Sequence, residues 1–347
     1  MKKILAIILF SSIIIVGCNG TTGEEEVSTQ PFKQTEFLLG TVVTVKIYDE
    51  DKEAVLQEAF TLMEELEAKI STSIEDSEIN KINQQAGKEA VKVSEEVFNL
   101  IESGKAYSEK ANGSFDITIG PLTSLWHIGY EDAKKPDQSE ITEILSYIDY
   151  EKIEMNEDNQ TIYLEQENMQ LDLGAIAKGF IADRINELFE EKEVSTGIID
   201  LGGNIYVRGE HPRQDNWTIG IQNPFEGRGE LVGKVTGENI SVVTSGIYER
   251  YLEVDGKQYH HLLNPIDGYP FDNEIAGVTI ISEKSIDGDA LSTLVFSKGL
   301  EGGLQAIEEM DDIDVIIVTK DKEVYLSEGF TNFELTNEDF VLMEGVE

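Results

Sequence analysis

Residues 285–299 read SIDGDALSTLVFSKG and follow a strand-like run, IAGVTIIS, at 275–282. A helix opening at this junction carries Asp287, Gly288 and Asp289 at its start, with Ser292 and Thr293 one turn on, where an apolar face is expected to begin. Asp289 and Thr293 are four residues apart and share a helix face, so their oxygens can converge on one point. The same spacing also suits a plain helix cap at Asp289 and a Thr293 hydroxyl bonding back to the preceding turn. Local spacing leaves both readings open.

Outward from this junction the pattern alternates irregularly between strands and helices. TEFLLGTVVTVKIYD (35–49) alternates around Val43, Val45 and Ile47 and predicts a strand. Val55, Ala59, Leu62, Met63, Leu66 and Ile70 recur at helical spacing over 52–70. A loop is expected over 71–83, a short strand over 90–93, and a helix from about Glu95 to Ala111 stopped by Asn112-Gly113. GSFDITIGPLTSLWHIGY (113–130) fits neither period and is expected to be irregular. TIYLEQ and MQLDL read as two strands joined by a turn at Glu167-Asn168, and GAIAKG (174–179) runs into a helix. GIIDL, the turn Gly202-Gly203-Asn204 and NISVVTSGIYERYLEV continue as strands, KQYHHLLNPIDGYP reads as hairpin-like, and DVIIVTKDKEVYLSEGF reads as a closing hairpin turning at Lys320-Asp321. Strands interrupted by a few helices, without regular alternation, predict an α+β fold.

The chain starts with Lys2 and Lys3, then a largely apolar run from Ile4 to Val16, then Gly17 and the only cysteine, Cys18. That run falls short of the roughly 20 residues of a membrane-spanning helix and reads as a signal-peptide core. Ile15-Val16-Gly17-Cys18 resembles a bacterial lipobox. The expected division is therefore a lipoprotein signal peptide over 1–17, a lipidated Cys18 with a disordered tether over 18–34, and one folded domain over 35–340. A chain so processed would be extracytoplasmic and lipid-anchored, and its domain would hold together without disulfides. The formal net charge is −41, from 68 acidic and 27 basic residues. Nucleic acid and an anionic membrane face are poor partners for such a surface. A phosphate-bearing ligand would need a cation or helix N-termini to approach it.

Three glycine turns offer such help. DLGAIAKGFIADRI (172–185) sets Gly174, Gly179 and Lys178 at a strand-to-helix turn, which suits an anion as well as it suits close helix packing. It lacks the P-loop spacing. DLGGN (200–204) and TSGIYERY (244–251) are further turns with amide or hydroxyl groups. His260 and His261 are adjacent, so in a strand they face opposite ways and at most one serves a given site.

Taken in order, LGT (39–41), STSIEDSEINKIN (71–83), GSFDITIGPLTSLW (113–126), LDLGAIAKGF (171–180), DLGGN, TSGIYERY, HLLNPIDGYP (261–270) and DGDALSTLVFSKG (287–299) resemble the ApbE-type FAD:protein FMN transferases. The resemblance implies a single large ApbE-like (T-fold-like) domain of mixed sheets with packed helices. It implies FAD as substrate and a divalent cation, usually Mg2+ with Mn2+ or Ca2+ as substitutes. It also implies transfer of the FMN half of FAD to a threonine hydroxyl of a partner protein, with release of AMP. By similarity, Asp289, Thr293 and the backbone carbonyl of Ala175 are the metal ligands, His261 is the base, and Lys178 acts as a point charge. Leu39, Ser73, Asp116, Asp172, Lys178, Gly202, Asn204, Thr244, Ser245, Gly246 and His261 fall in segments that resemble the family's FAD-contacting loops.

The chain departs from the family pattern at Leu39, where Met is common, at Asn264, where Asp is more frequent, and at His127, where glycine is usual. A flavin-binding lipoprotein, or an FAD pyrophosphatase giving FMN and AMP, is the alternative reading. A pure binder has no need of the Asp289/Thr293 pair or of His261.

Overall fold

The computed structural model of the chain describes residues 27–343. Its centre is a nine-stranded sheet whose spatial order follows the chain: Val27–Leu38, Thr41–Asp49, Gly197–Leu201, Asn204–Arg208, Ile240–Gly246, Ile275–Ser282, Asp314–Thr319, Glu323–Leu326 and Val341–Leu342. Neighbours are antiparallel except the last pair, which is parallel. Three small sheets flank it, built from Tyr251–Val254 with Lys257–His260, from Trp217–Gln222 with Leu231–Gly237 and Phe333–Leu335, and from Val91–Lys92, Ile153–Asn156 and Thr161–Leu164.

Side-chain alternation sends the two faces of the large sheet into different cores. Val43, Val45 and Ile47 pack with the helices Glu53–Ile70, Glu95–Lys110 and Ala177–Glu191. Val207, Val242, Ile281, Ile316 and Val318 face the other way and are covered by the small sheet carrying Trp217, Ile219, Val232 and Val235. Val278, Ile280, Val315 and Ile317 meet Leu291, Val295 and Phe296 of the helix Ser285–Glu308. The strand Ile275–Ser282 is buried along its whole length because both of its faces are covered. That explains why IAGVTIIS shows no polar alternation.

Several local expectations change. The ordered fold begins before Thr35: residues 27–34 belong to the edge strand Val27–Leu38, which pairs with Thr41–Asp49 and so corrects the tether expected over 18–34. Cys18 and the signal segment lie outside the described residues. The stretch 71–83 is only partly loop, since Ser77 accepts the N–H of Asn80 at 3.1 Å and starts a helix, Glu78–Gln84. Within 113–130, Pro121 sits in the first turn of a helix, Gly120–Trp126.

MQLDL is not a strand. Thr161–Leu164 pairs with Ile153–Asn156 instead, and the backbone of Leu171 bonds to one side chain, Asn83, whose Oδ1 accepts its N–H at 2.7 Å and whose Nδ2 donates to its carbonyl at 3.1 Å. Among the described residues no helix is long and apolar enough to cross a membrane.

Candidate functional site

The site lies where the helices Ala177–Glu191 and Ser285–Glu308 begin side by side. The first N–H groups of a helix have no partner within it. In Ala177–Glu191, Ile176 at the N-cap supplies no side-chain acceptor. The carboxylate of Asp289 fills that role from the other helix, its Oδ2 accepting the N–H of Gly179 at 2.7 Å. Asp289 is thus a cap, but of a different helix from its own. Gly179 permits the approach, because a Cβ there would stand 2.4 Å from the carbonyl oxygen of Ser285. With Gly179 N–H aimed at Asp289, the carbonyl of Ala175, four residues back on an exposed turn, is relieved of its helical partner.

The second oxygen of Asp289 is held by a buried polar chain. Asn204 Nδ2 donates to Asp289 Oδ1 at 3.1 Å, the hydroxyl of Ser285 donates to Asn204 Oδ1 at 2.6 Å, and the hydroxyl of Ser241 lies 2.8 Å from that of Ser285. Since Ser285 spends its proton on Asn204, Ser241 is the donor to Ser285. Asp289 is 4% exposed and Asn204 1%. Lys178 Nζ stands 3.6 Å from Asp289 Oδ1 and is the nearest positive charge to it among the described ion pairs. Ser292 donates to the carbonyl of Asp289 at 2.9 Å and lies 2.8 Å from Ser245 Oγ, tying the TSGIYERY turn to the same helix. Thr293 is half-buried one turn beyond Asp289.

The two histidines diverge as their adjacency predicts. His260 is buried, with Nε2 2.9 Å from the carbonyl of Phe271. His261 has Nδ1 3.3 Å from the carbonyl of Arg250. That contact requires the proton on Nδ1 and leaves Nε2 as the basic nitrogen. Burial pushes the His261 pKa down to about 4, assisted by the charges of Arg250 and Lys178 and against the pull of the Arg250 carbonyl. His261 is therefore neutral at pH 7.

Other expected residues hold turns and strand contacts of the scaffold. Gly202 holds φ +69 in the DLGGN turn, and a Cβ there would lie 2.2 Å from Thr41 Oγ1, so the LGT and DLGGN turns meet at a point only glycine fits. Leu39 has a left-handed φ of 55, and its N–H donates to Glu67 Oε1 at 3.0 Å. Thr244 Oγ1 lies 2.9 Å from Thr279 Oγ1, and Gly246 packs against the ring of Tyr248. Asp172 links the GAIAKG turn to the helix Gly120–Trp126, accepting from Gly174 N at 2.9 Å and Thr123 Oγ1 at 2.7 Å. His127, the expected departure from the family pattern, caps that helix with a left-handed φ of 49.

Two expected residues stand apart from the Asp289 cluster. Asp116 is buried with both oxygens engaged, by Thr118 N and Oγ1 and by Tyr150 N, so it ties its own loop to the turn at Tyr150. Ser73 is exposed and donates through its backbone to Ser71 Oγ.

The sequence reading missed Asp183, Glu249 and Arg250. Asp183 Oδ1 accepts the N–H of Ser285 at 2.6 Å and Oδ2 that of Ile286 at 3.0 Å. Its position four residues after Gly179 was the available signal, because that places it on the face where another chain must approach. Arg250 lies between two glycine turns, 3.7 Å from a Cβ at Gly40 and 3.1 Å from one at Gly129. Desolvation draws the Glu249 carboxyl above the usual range, while Lys178, Arg250 and Arg228 pull it down.

No group of three or more His, Cys, Asp or Glu side chains converges among the described residues. A cation here would have one carboxylate, a hydroxyl and a carbonyl, all hard oxygens, and its remaining positions would be open to phosphate oxygens, a set that suits Mg2+.

The α+β scaffold thus brings a helix start, a lysine and one buried carboxylate together beside glycine turns. The profile of the ApbE family matches residues 39–317. A protein of Klebsiella pneumoniae (strain 342) named FAD:protein FMN transferase is 40% identical over 296 residues, covering 85% of this chain and 92% of its own. One of Treponema pallidum (strain Nichols) with the same name is 33% identical over 337 residues, covering 92% of each. The crystal structure of the ApbE protein of Thermotoga maritima superposes with a TM-score of 0.80 at 31% identity, over 86% of this chain and 97% of that one. The chain belongs to the ApbE family.

Proposed function

We propose that this chain is an FAD:protein FMN transferase that works with Mg2+, or with Mn2+ or Ca2+ in its place, and modifies a threonine of an extracytoplasmic partner. The observation that carries the reading is the meeting of the Asp289 carboxylate, Lys178 and the Gly179 N–H at one helix start, with relatives of that name covering most of the chain.

Asp289, Thr293 and the Ala175 carbonyl are the residues that would hold the cation. When bound, it supplies charge neutralisation to the FAD pyrophosphate and to the departing AMP. The chain's own residues do the rest. Lys178 draws the pyrophosphate into a protein of net charge −41. The N-terminal end of the helix Ala177–Glu191 turns its positive dipole end toward the same place. His261, neutral and with Nε2 bare, takes the proton of the acceptor hydroxyl as its oxygen bonds to the FMN phosphorus and the bond from that phosphorus to AMP breaks. The products are a threonine phosphoester of FMN, AMP and one proton.

The same proposal places the chain outside the cytoplasm, lipid-anchored through Cys18. Loss of membrane association in Cys18→Ala tests that part.

The deciding experiment combines the chain lacking residues 1–18 with FAD, Mg2+ and a threonine-bearing acceptor domain, and weighs the acceptor by mass spectrometry, with Asp289→Ala in parallel. A mass gain of one FMN residue, dependent on metal and absent in the variant, is expected. Free FMN and AMP with an unmodified acceptor would instead indicate a pyrophosphatase, and intact bound FAD a flavin-binding lipoprotein.

A further inference from the structure

Asp183 itself is given no part above in holding metal or flavin or in proton transfer, yet it completes a reciprocal arrangement. The helix Ser285–Glu308 has no cap of its own, since Lys284 offers no side-chain acceptor. Its first N–H groups, those of Ser285 and Ile286, go to the two oxygens of Asp183. Asp289 in turn caps Gly179 on the helix that carries Asp183. Each helix start is closed by a carboxylate from the other, across a contact that Gly179 keeps at backbone distance. Neither cap can shift without moving the helix that supplies the other.

We propose that Asp183 is a positioning residue for the transfer site: by gripping the first turn of Ser285–Glu308 it sets where Asp289 and Thr293 stand relative to Ala175 and Lys178, and so sets how well those oxygens accept a divalent cation. The cation part rests on the function proposed above. The placement of Asp289 does not.

The test uses the full chain and Asp183→Asn, which keeps one acceptor oxygen but replaces the other with an N–H2 that cannot cap. Folding is checked by near-ultraviolet circular dichroism. Native-state amide exchange is then followed without flavin or metal. The expected result is faster exchange at Ser285 and Ile286 and also at Gly179, on the order of tenfold for a lost cap, with the amides of Ile275–Ser282 unchanged. An unchanged Gly179 in the folded variant overturns the proposal, because a merely local cap would free Ser285 and Ile286 alone.

Mn2+ binding in the presence of FAD is titrated by electron paramagnetic resonance. The midpoint should rise about tenfold while kcat at saturating metal stays within a few-fold, the pattern of a displaced ligand. An unmoved midpoint overturns the positioning role. A wild-type chain that binds no Mn2+ sinks the proposed metal site and the tuning of it, while the Gly179 exchange rate still decides whether Asp183 places Asp289. If Asp183→Asn does not fold, Asp183→Glu, which sets the carboxylate one methylene out of place, carries the same comparison.

Discussion

Asn204 Nδ2 donates to Asp289 Oδ1 across 3.1 Å, joining the start of the strand Asn204–Arg208 to a helix that begins some eighty residues later. The amide has no freedom to do otherwise, since its Oδ1 is engaged by Ser285 and the side chain is buried. Asn204 is therefore what keeps the Asp289 carboxylate from turning away.

Asn204→Ala should remove both bonds and leave the Ser285 hydroxyl and Asp289 Oδ1 each short of one partner in a buried site. A loss of about 1–3 kcal/mol is expected, read as a lowered urea midpoint with an unchanged slope. Transfer activity should fall more steeply than the folded fraction. A midpoint within error of wild type would show that the chain from Ser241 to Asp289 contributes nothing.

As the proposed base, His261 should govern the acid limb of the pH profile. Its depressed pKa means the neutral base is present from about pH 5 upward and is lost only as pH falls through about 4. The rate should be level through pH 6 on its account, and His261→Ala should lower kcat by roughly 10²–10⁴-fold while FAD still binds. A limb centred near 6.5 would instead mark an unburied histidine.

Asp183 makes the opposite contribution to stability. Burial raises its pKa to about 7, with the nearby Asp287 adding to the shift and the two capping N–H groups and Lys284 opposing it. An acid whose folded pKa lies above its unfolded value of about 3.9 binds more protons when folded. Its contribution is complete below about pH 4 and is lost as pH rises through about 7. Measured against Asp183→Asn, wild-type stability should decline over that window. A flat difference would refute the shift.

Gly202→Ala should be among the costliest single changes in the fold. The residue sits at φ +69 and the added methyl would overlap Thr41 Oγ1, so strain and collision act together. A loss of roughly 1–3 kcal/mol is expected for the backbone conformation alone, seen as a fall in thermal midpoint. Gly203→Ala has open space at the same turn and separates the two effects, because it meets a positive φ without the collision.

Much of the scaffold was legible because its periods are local. The apolar spacing from Val55 to Ile70 gave a helix at Glu53–Ile70, Asn112-Gly113 followed the helix Glu95–Lys110 in left-handed geometry, and the closing hairpin turned where expected. The order of the glycine-bearing motifs pointed to the family, and the divergence of His260 from His261 followed from strand geometry. MQLDL misled because its alternation was real, but its backbone pairing stops at one parallel bridge, Gln170 with Ile119, and Asn83, eighty-eight residues before Leu171, takes the bonds of that residue.

The sequence by itself determined the α+β class, the positions of the chemistry-bearing turns and the pairing of Asp289 with Thr293 on one helix face. Only the tertiary structure decided what Asp289 caps, that Asp183 returns the favour, and that Asp116 divides its carboxylate between Thr118 and Tyr150. Helical and strand periods are written within a few neighbouring residues. An unpaired N–H at a helix start carries no mark of its acceptor, which can come from any residue that the packing of the sheet and helices brings within about 3 Å.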